Sequence, residues 1–468
     1  MVVSRRFGGE SRGMVWPALL VFALLWSGLF VGVKSFRPEF FSNPADFQSP
    51  DAVHYLQLAR NISQRGVYSR SAQCLGEPDM LRTPGYPAFV IATNGHVRFE
   101  LLVLAQGALA IGLIVLIGSV LRQFGDGIGV FVGALLCSAD LLLLTCCFEA
   151  MSEVLFVFLT VLGLRVVGWP FFGGETRAVR WLGGGLLFGV SALVRPSNLY
   201  LPVVFGAISV IGAAAKSGHA LSFRHALMLI VGFGIVVSPW IVRNAVTLGV
   251  PRLTSVDQAN LVYFVGAGAV QRKFGWERRE AQDFIRREFL LPSYSELQNP
   301  WTAEGRTTKE LYGLVRSKAL DVVFLYPRSL VESSFIGILK ASFAHCNGVI
   351  ANMTGATWTS VRSLGSNSVL LNVLLIWHLV HTLSTLVLAV VGCVIGVKGG
   401  WGLRISVLLV LGYYYLMMAM FGIDAVARSR LSVAPILYVL AGVGGSQLFC
   451  LFVGRRGGTS APRDVVLG

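Results

Sequence analysis

Long apolar runs alternate with short polar breaks along most of this chain, and two longer polar intervals, 34–100 and 244–368, interrupt the alternation. Set against the ~20 apolar residues needed to cross a bilayer, the pattern predicts ten membrane-spanning helices. They fall at approximately 15–33, 101–121, 127–145, 152–172, 181–195, 199–215, 225–243, 369–396, 403–422 and 432–453. The fifth is short and closes at Arg195-Pro196. The first follows Arg5, Arg6 and Arg12 and begins like a secretory signal. It is longer than a signal's apolar stretch and has no clear small-residue cleavage site, so an uncleaved first span is expected. The 244–368 interval is too long for a plain connection. It carries helical patterns over Trp276–Phe289 and Thr307–Val323, the second closed by Tyr326-Pro327. The apolar stretch Leu330–Phe343, with Glu332 and Lys340, reads as a helix lying on the membrane surface.

Composition agrees with the pattern. Of 468 residues, 54% are hydrophobic and 13% charged, where a soluble domain carries roughly 25% charged residues; mean hydropathy is +0.67. The expected fold class is an all-α polytopic membrane protein with juxtamembrane helices in two long outer loops. Lys and Arg collect in the breaks after alternate runs, as Arg122, Arg177, Arg180, Lys216, Arg224, Lys398 and Arg404. The positive-inside rule therefore places both termini in the cytoplasm and the long loops outside. The resulting division is a cytoplasmic N-terminus (1–14), a membrane core (15–243) carrying outer loop 34–100, an outer loop (244–368), C-terminal membrane helices (369–453) and a cytoplasmic tail (454–468). The net charge of +15 is explained by those loops and by anionic headgroups. No basic run is interleaved with aromatics, so a nucleic-acid partner is not expected. The seven cysteines show no metal-ligand spacing. Cys137, Cys146 and Cys147 lie in or beside apolar segments, and pairing of Cys74 with Cys346 stays open.

The unusual polar residues gather at the outer ends of the runs. Asp51 opens a helical pattern with Tyr55 and Ala59 following at one-turn intervals; it is read either as an N-cap or as a general base. The stiff turn Arg82-Thr-Pro84-Gly85-Tyr86-Pro87 either re-enters the membrane or holds Arg82 over a phosphate. Glu149 and Glu153 flank Ser152, four residues apart. Arg195, Arg428 and Arg430 suit either interface anchoring or an anionic headgroup. A transporter would instead place ionisable groups near mid-span, where Asp140 and the His378/His381 pair are the candidates.

Taken in order, Asp51-x-x-x-Tyr55, Gly66-x-Tyr68, Arg82-x-Pro-Gly-Tyr-Pro, Ser152-Glu153-x-Leu-Phe, Val194-Arg195-Pro196, Pro239-Trp240-x-x-Arg243-Asn244 and Arg428-x-Arg430-Leu resemble the GT-C membrane glycosyltransferases. The set is most similar to the dolichyl-phosphate-mannose protein mannosyltransferases and their bacterial relatives, the lipid A aminoarabinose transferases. The resemblance implies a sugar transferase in the plasma membrane with its site on the extracytoplasmic side and a polyprenyl-phosphate sugar as donor. The acceptor is expected to be a lipid, a glycan or a protein. It implies Asp51 as the catalytic acid of the first outer loop, with Glu153 or Glu149 as the second. His54, Tyr55, Arg82, Tyr86, Arg195, Arg428 and Arg430 are then expected to hold the lipid phosphate or sugar. The sequence departs from the family in following Asp51 with Ala52 rather than a second acid. It closes soon after the tenth run, so no C-terminal sugar-binding domain is expected. A single phosphate leaving group is neutralised by arginines without a required metal, although a divalent ion beside Asp51 and Glu153 stays chemically open. The alternatives are a transporter or flippase, a scaffold, and an oligosaccharide ligase using a pyrophosphate-linked donor.

Overall fold

The computed structural model describes residues 14–72, 76, 78–124, 127–168, 177–214, 223–299, 307–344, 350, 353, 369–396, 400–424 and 426–456. Cys74, Cys346, Lys216, Lys398 and the segments 1–13 and 457–468 lie outside the described residues. Among the described residues the secondary structure is entirely helical.

Each of the ten apolar runs contains a helix, and among the described residues five of them hold a helix long and apolar enough to cross a membrane: Trp16–Phe36, Phe99–Leu121, Phe223–Leu248, Asn372–Ile395 and Ala434–Phe452. A bent pair in the 244–368 interval makes a sixth if it counts as a single span. The differences have local causes. Asp140 takes extended backbone and caps the short Leu141–Cys146 helix by accepting from the Leu142 amide at 2.9 Å, which breaks the 127–145 run. Gly168, at φ 72°, ends the Glu153–Val167 helix after 15 residues. The bent pair joins Thr308–Val323 to Pro327–Phe343 at 98°. Pro327 forces the corner, because it starts a helix well but cannot continue one. The helical patterns expected in the long loop are present as Arg278–Glu288, Thr308–Val323 and Pro327–Phe343. Reciprocal capping boxes start the first two at Glu277/Glu280 and Thr307/Glu310, the arrangement that satisfies orphan amides at a helix start.

Two hydrophobic cores result. The first fills the membrane bundle. The second lies in a cap built by the 244–368 segment, around Tyr263, Ile285, Leu297, Tyr312 and Val315, and takes in Met80 and Leu81 of the first loop. The cap core gains from removing apolar surface from water, about 1.5–3 kcal/mol for each large side chain. The bundle lacks that driving force and relies on close backbone approach. Gly185 of Ala178–Val194 and Gly232 of Phe223–Leu248 sit where an added Cβ would lie 2.1 Å from the Leu229 carbonyl oxygen and 2.3 Å from that of Leu182.

Gly85 applies the same constraint to the functional loop. An added Cβ would lie 2.7 Å from backbone atoms of Leu193 and Val194, so the Arg82–Pro87 turn presses on the end of the helix that leads to Arg195. Gly85→Ala is expected to lower the thermal unfolding midpoint in detergent, an overpacking cost of about 1–3 kcal/mol. Gly28→Ala, with open space around it, is expected to leave the midpoint unchanged. Equal midpoints for the two variants would show that the turn does not bear on the helix.

Candidate functional site

The site forms where four separate segments meet. The Pro50–Arg65 helix starts at Ser49 with Pro50 in its first turn, so Asp51 is the second helical residue and not the cap. The capping reading of Asp51 is therefore corrected. Its carboxylate turns to two guanidiniums: Arg82 Nη2 donates to Oδ1, and Arg428 Nη2 donates to Oδ2 at 2.7 Å. Arg428 also places Nε 3.5 Å from Glu153 Oε1, and Arg195 Nη1 lies 2.7 Å from that same oxygen. Arg195 donates further to Ser152 Oγ at 3.3 Å. A continuous chain of charge thus runs Arg82, Asp51, Arg428, Glu153, Arg195.

Each member is held in place by its surroundings. Asp79 accepts from the Arg82 amide at 2.9 Å and from Arg70 Nε at 2.7 Å, while Tyr68 donates its hydroxyl to the Arg82 carbonyl at 3.0 Å. The Arg82 guanidinium lies over the Tyr55 ring, 5.2 Å from its centre, a cation–π placement. Gln48 straps the Glu149 loop beside Asp51: it donates to the Phe148 carbonyl at 3.3 Å and accepts from the Ala150 amide at 2.8 Å. From below, Gln106 donates to the carbonyls of Cys147 and Glu149, both at 2.9 Å.

The environments push the titratable groups apart. Burial works to raise the Asp51 carboxyl, but Arg82 and Arg428 overcome it and hold it far below the usual carboxylate range. Burial, then Arg70 and Arg82, lower His54 to about 3, so its imidazole is neutral. His54 Nδ1 faces Arg70 Nη1 and Arg82 Nη2, each at 3.4 Å; both are donors, which assigns Nδ1 as the acceptor. Burial raises the Glu149 carboxyl.

Of the residues expected here, the structure gathers Asp51, His54, Arg82, Glu149, Glu153, Arg195 and Arg428. Three depart from the expectation of substrate contact. Tyr86 is fully buried, with its hydroxyl donated to Gln106 at 2.8 Å. Tyr55 packs edge-on to Tyr86, ring centres 4.9 Å apart, and forms the floor under Arg82. Arg430, two residues beyond Arg428 in the three-residue-per-turn helix Ala427–Ser432, leaves a different face and turns away from the site toward Asp140 and Thr382. It is buried in the bundle, donating to Thr382 Oγ1 at 2.6 Å and to Asp140 Oδ1 at 3.1 Å. Tyr438 also donates to Asp140. The mid-membrane charge noted in the sequence is thus an internal ion pair, and it anchors the turn that presents Arg428.

Sequence reasoning missed Asp79, Arg70 and Tyr294. Tyr294 belongs to the cap, where Ser293 and Glu296 form a capping box, and it interacts electrostatically with Asp51 and Arg82. Its signal was the Ser293-x-x-Glu296 spacing in an otherwise unremarked stretch. Among the described residues no three His, Cys, Asp or Glu side chains are grouped as a metal ion needs. Both oxygens of Asp51 are engaged by guanidiniums, an arrangement that does not fit a divalent ion.

No family model matches the sequence, and no curated protein does. Solved structures do match by fold. The oligosaccharyltransferase of Archaeoglobus fulgidus in its apo form aligns with TM-score 0.51 at 11% identity, covering 100% of this chain and 54% of that one. The same enzyme tethered to an acceptor peptide containing the NVT sequon aligns with TM-score 0.52 at 10% identity, covering 97% and 51%. The chain therefore shares its fold with about half of that membrane oligosaccharyltransferase. This chain spans about half the length of those enzymes.

Breaking a buried ion pair leaves one uncompensated charge and costs about 3–5 kcal/mol, whereas replacing both partners with apolar groups is often neutral. Asp140→Leu and Arg430→Met, singly, are expected to lower the thermal midpoint markedly and to weaken whatever activity depends on Arg428. The double variant is expected to regain most of the stability. A double variant no more stable than the singles would contradict a simple anchoring pair.

Proposed function

We propose that this protein transfers a sugar from a polyprenyl-phosphate donor to a hydroxyl of a lipid, glycan or protein acceptor at the extracytoplasmic face of the plasma membrane. The observation that carries the reading is the charge chain at one end of the bundle. Three guanidiniums, Arg82, Arg195 and Arg428, meet two carboxylates, Asp51 and Glu153, in that chain, which leaves one positive charge in excess within it. That excess matches the single negative charge of a phosphodiester-linked sugar. A pyrophosphate-linked donor brings more charge than these groups balance.

The chemistry follows from the placement. The acceptor oxygen attacks the anomeric carbon, its proton passes to the Asp51 carboxylate, and the anomeric carbon–oxygen bond breaks with its electron pair on the phosphate. A single displacement inverts the anomeric centre. Negative charge leaves Asp51 and grows on the phosphate, so guanidiniums beside both stabilise the transition state more than the ground state. His54, neutral with Nδ1 turned to the arginines, has Nε2–H free to donate to a sugar hydroxyl. A lipid tail in the bilayer with its headgroup at the surface suits a site at the end of the membrane helices. The fold shared with an oligosaccharyltransferase supports a glycosyl transfer reaction as a class.

The test is transfer by the purified protein in lipid nanodiscs, with a panel of polyprenyl-phosphate hexoses and pentoses and a membrane extract as acceptor source. Asp51→Asn keeps shape but not basicity, and is expected to lower transfer at least about a hundredfold with normal expression. Arg82→Ala and Arg428→Ala each remove a charge-assisted contact worth about 1.5–3 kcal/mol and are expected to weaken donor use roughly tenfold or more. Full activity in well-folded Asp51→Asn protein would remove this residue from the chemistry. Transfer from pyrophosphate-linked donors alone would move the protein to the oligosaccharide ligases.

A further inference from the structure

Asp51 presents a difficulty as a base. Each of its oxygens already accepts from a guanidinium, Arg82 on one side and Arg428 on the other at 2.7 Å. A carboxylate so held keeps a lone pair on each oxygen but lacks the affinity for a proton that the reaction needs. The arginines, by contrast, have donors to spare. Among the described residues Arg82 Nε is buried with no hydrogen-bond partner. Among them Arg428 Nη1 reaches only the Met151 sulfur at 3.6 Å, a weak acceptor. Its Nε stands 3.5 Å from Glu153, long for a hydrogen bond. The cluster is also reachable, since the Asp51 side chain is 26% exposed and that of Arg428 24%.

Resting on the donor reading above, we infer that Asp51 is masked in the empty enzyme and that the donor phosphate unmasks it by taking Arg82 and Arg428 as its own partners. The two non-bridging oxygens of a phosphodiester offer those guanidiniums acceptors as strong as the carboxylate. They also satisfy the unused Arg82 Nε and Arg428 Nη1, which Asp51 does not. Once the arginines turn to the phosphate, Asp51 keeps its charge but loses its two closest cations, and its proton affinity rises. Of the groups that remain around it, the carboxylates push the same way, while Arg70, beside His54, stays paired with Asp79. Glu149 and Glu153 lie across from it on the 147–153 segment, and Tyr294 faces it from the cap. His54, one turn along its own helix, is neutral. The exchange balances through the reaction. The acceptor's proton ends on Asp51, the broken bond's electrons end on the phosphate, and the arginines are already placed on the group that becomes doubly charged.

The exchange makes the order of binding a chemical requirement. Without donor there is no base, so neither water nor acceptor is activated; with donor bound, the base appears beside the anomeric carbon.

The probe is a sugar-free polyprenyl phosphate added to the full-length protein in nanodiscs. Its binding is measured directly, and the Asp51 carboxylate is followed by infrared difference spectroscopy against Asp51→Asn. In the empty protein the band is expected to stay ionised to the lowest pH the fold tolerates. With the lipid phosphate bound, its protonation midpoint is expected to rise by about two pH units or more, the scale of losing close opposite charges. Arg82→Gln in the empty protein is expected to raise the midpoint without ligand, and Glu149→Gln to leave the ligand-induced rise in place. Binding with an unmoved Asp51 midpoint would overturn the exchange and leave the proposed function standing. Absence of binding to wild-type protein would overturn both.

Discussion

A single carboxylate shared by two guanidiniums joins the two ends of this chain. Asp51 stands near the start and Arg428 near the finish, 377 residues apart, with Arg82 completing the clamp. Charges taken partly out of water are costly unless each finds its partner, so the arrangement persists only because other features fix it. The Gln48 strap sets Asp51 against the Glu149 loop. Asp79 and Tyr68 fix the backbone of Arg82. The Arg430–Asp140 pair, buried among the membrane helices, holds the turn that carries Arg428. The site is best understood as the place where these separate constraints converge.

Its location follows from the two solvents the chain must satisfy. The membrane bundle packs by close backbone approach at glycines, and the cap packs by removing apolar surface from water. The first loop belongs to both, with Tyr86 and Val90 in the bundle core and Met80 and Leu81 in that of the cap. The charge chain lies between them, with membrane helices on one side and Tyr294 of the cap on the other. The proposed lipid-linked donor, with its apolar tail and polar head, would meet both environments there at once.

Much of this was legible in the sequence, and the failures have physical reasons. Each of the ten apolar runs holds a helix among the described residues, because that signal survives averaging over ~20 residues. The runs did not mark where a helix stops, since a single Asp140 or Gly168 ends a helix without lowering the hydropathy around it. The ordered motifs brought Asp51, Arg82, Glu153, Arg195 and Arg428 to one face. They did not separate Arg428 from Arg430, because which way two arginines of one turn point depends on partners such as Asp140 and Thr382 that lie far away in sequence. Tyr86 looked like a site residue through its motif and proved to be core. Asp51 looked like a cap until Ser49 and Pro50 were seen to start the helix. The pinning of both its oxygens was invisible, since it needs three segments in register.

The account turns on where a donor phosphate would sit. A structure determined with a polyprenyl-phosphate sugar bound is the most direct measurement. The account predicts phosphate oxygens within hydrogen-bond distance, about 2.7–3.0 Å, of both Arg82 and Arg428, with Asp51 released and facing the anomeric carbon. A phosphate bound elsewhere, with the Arg82–Asp51–Arg428 clamp still closed, would contradict it.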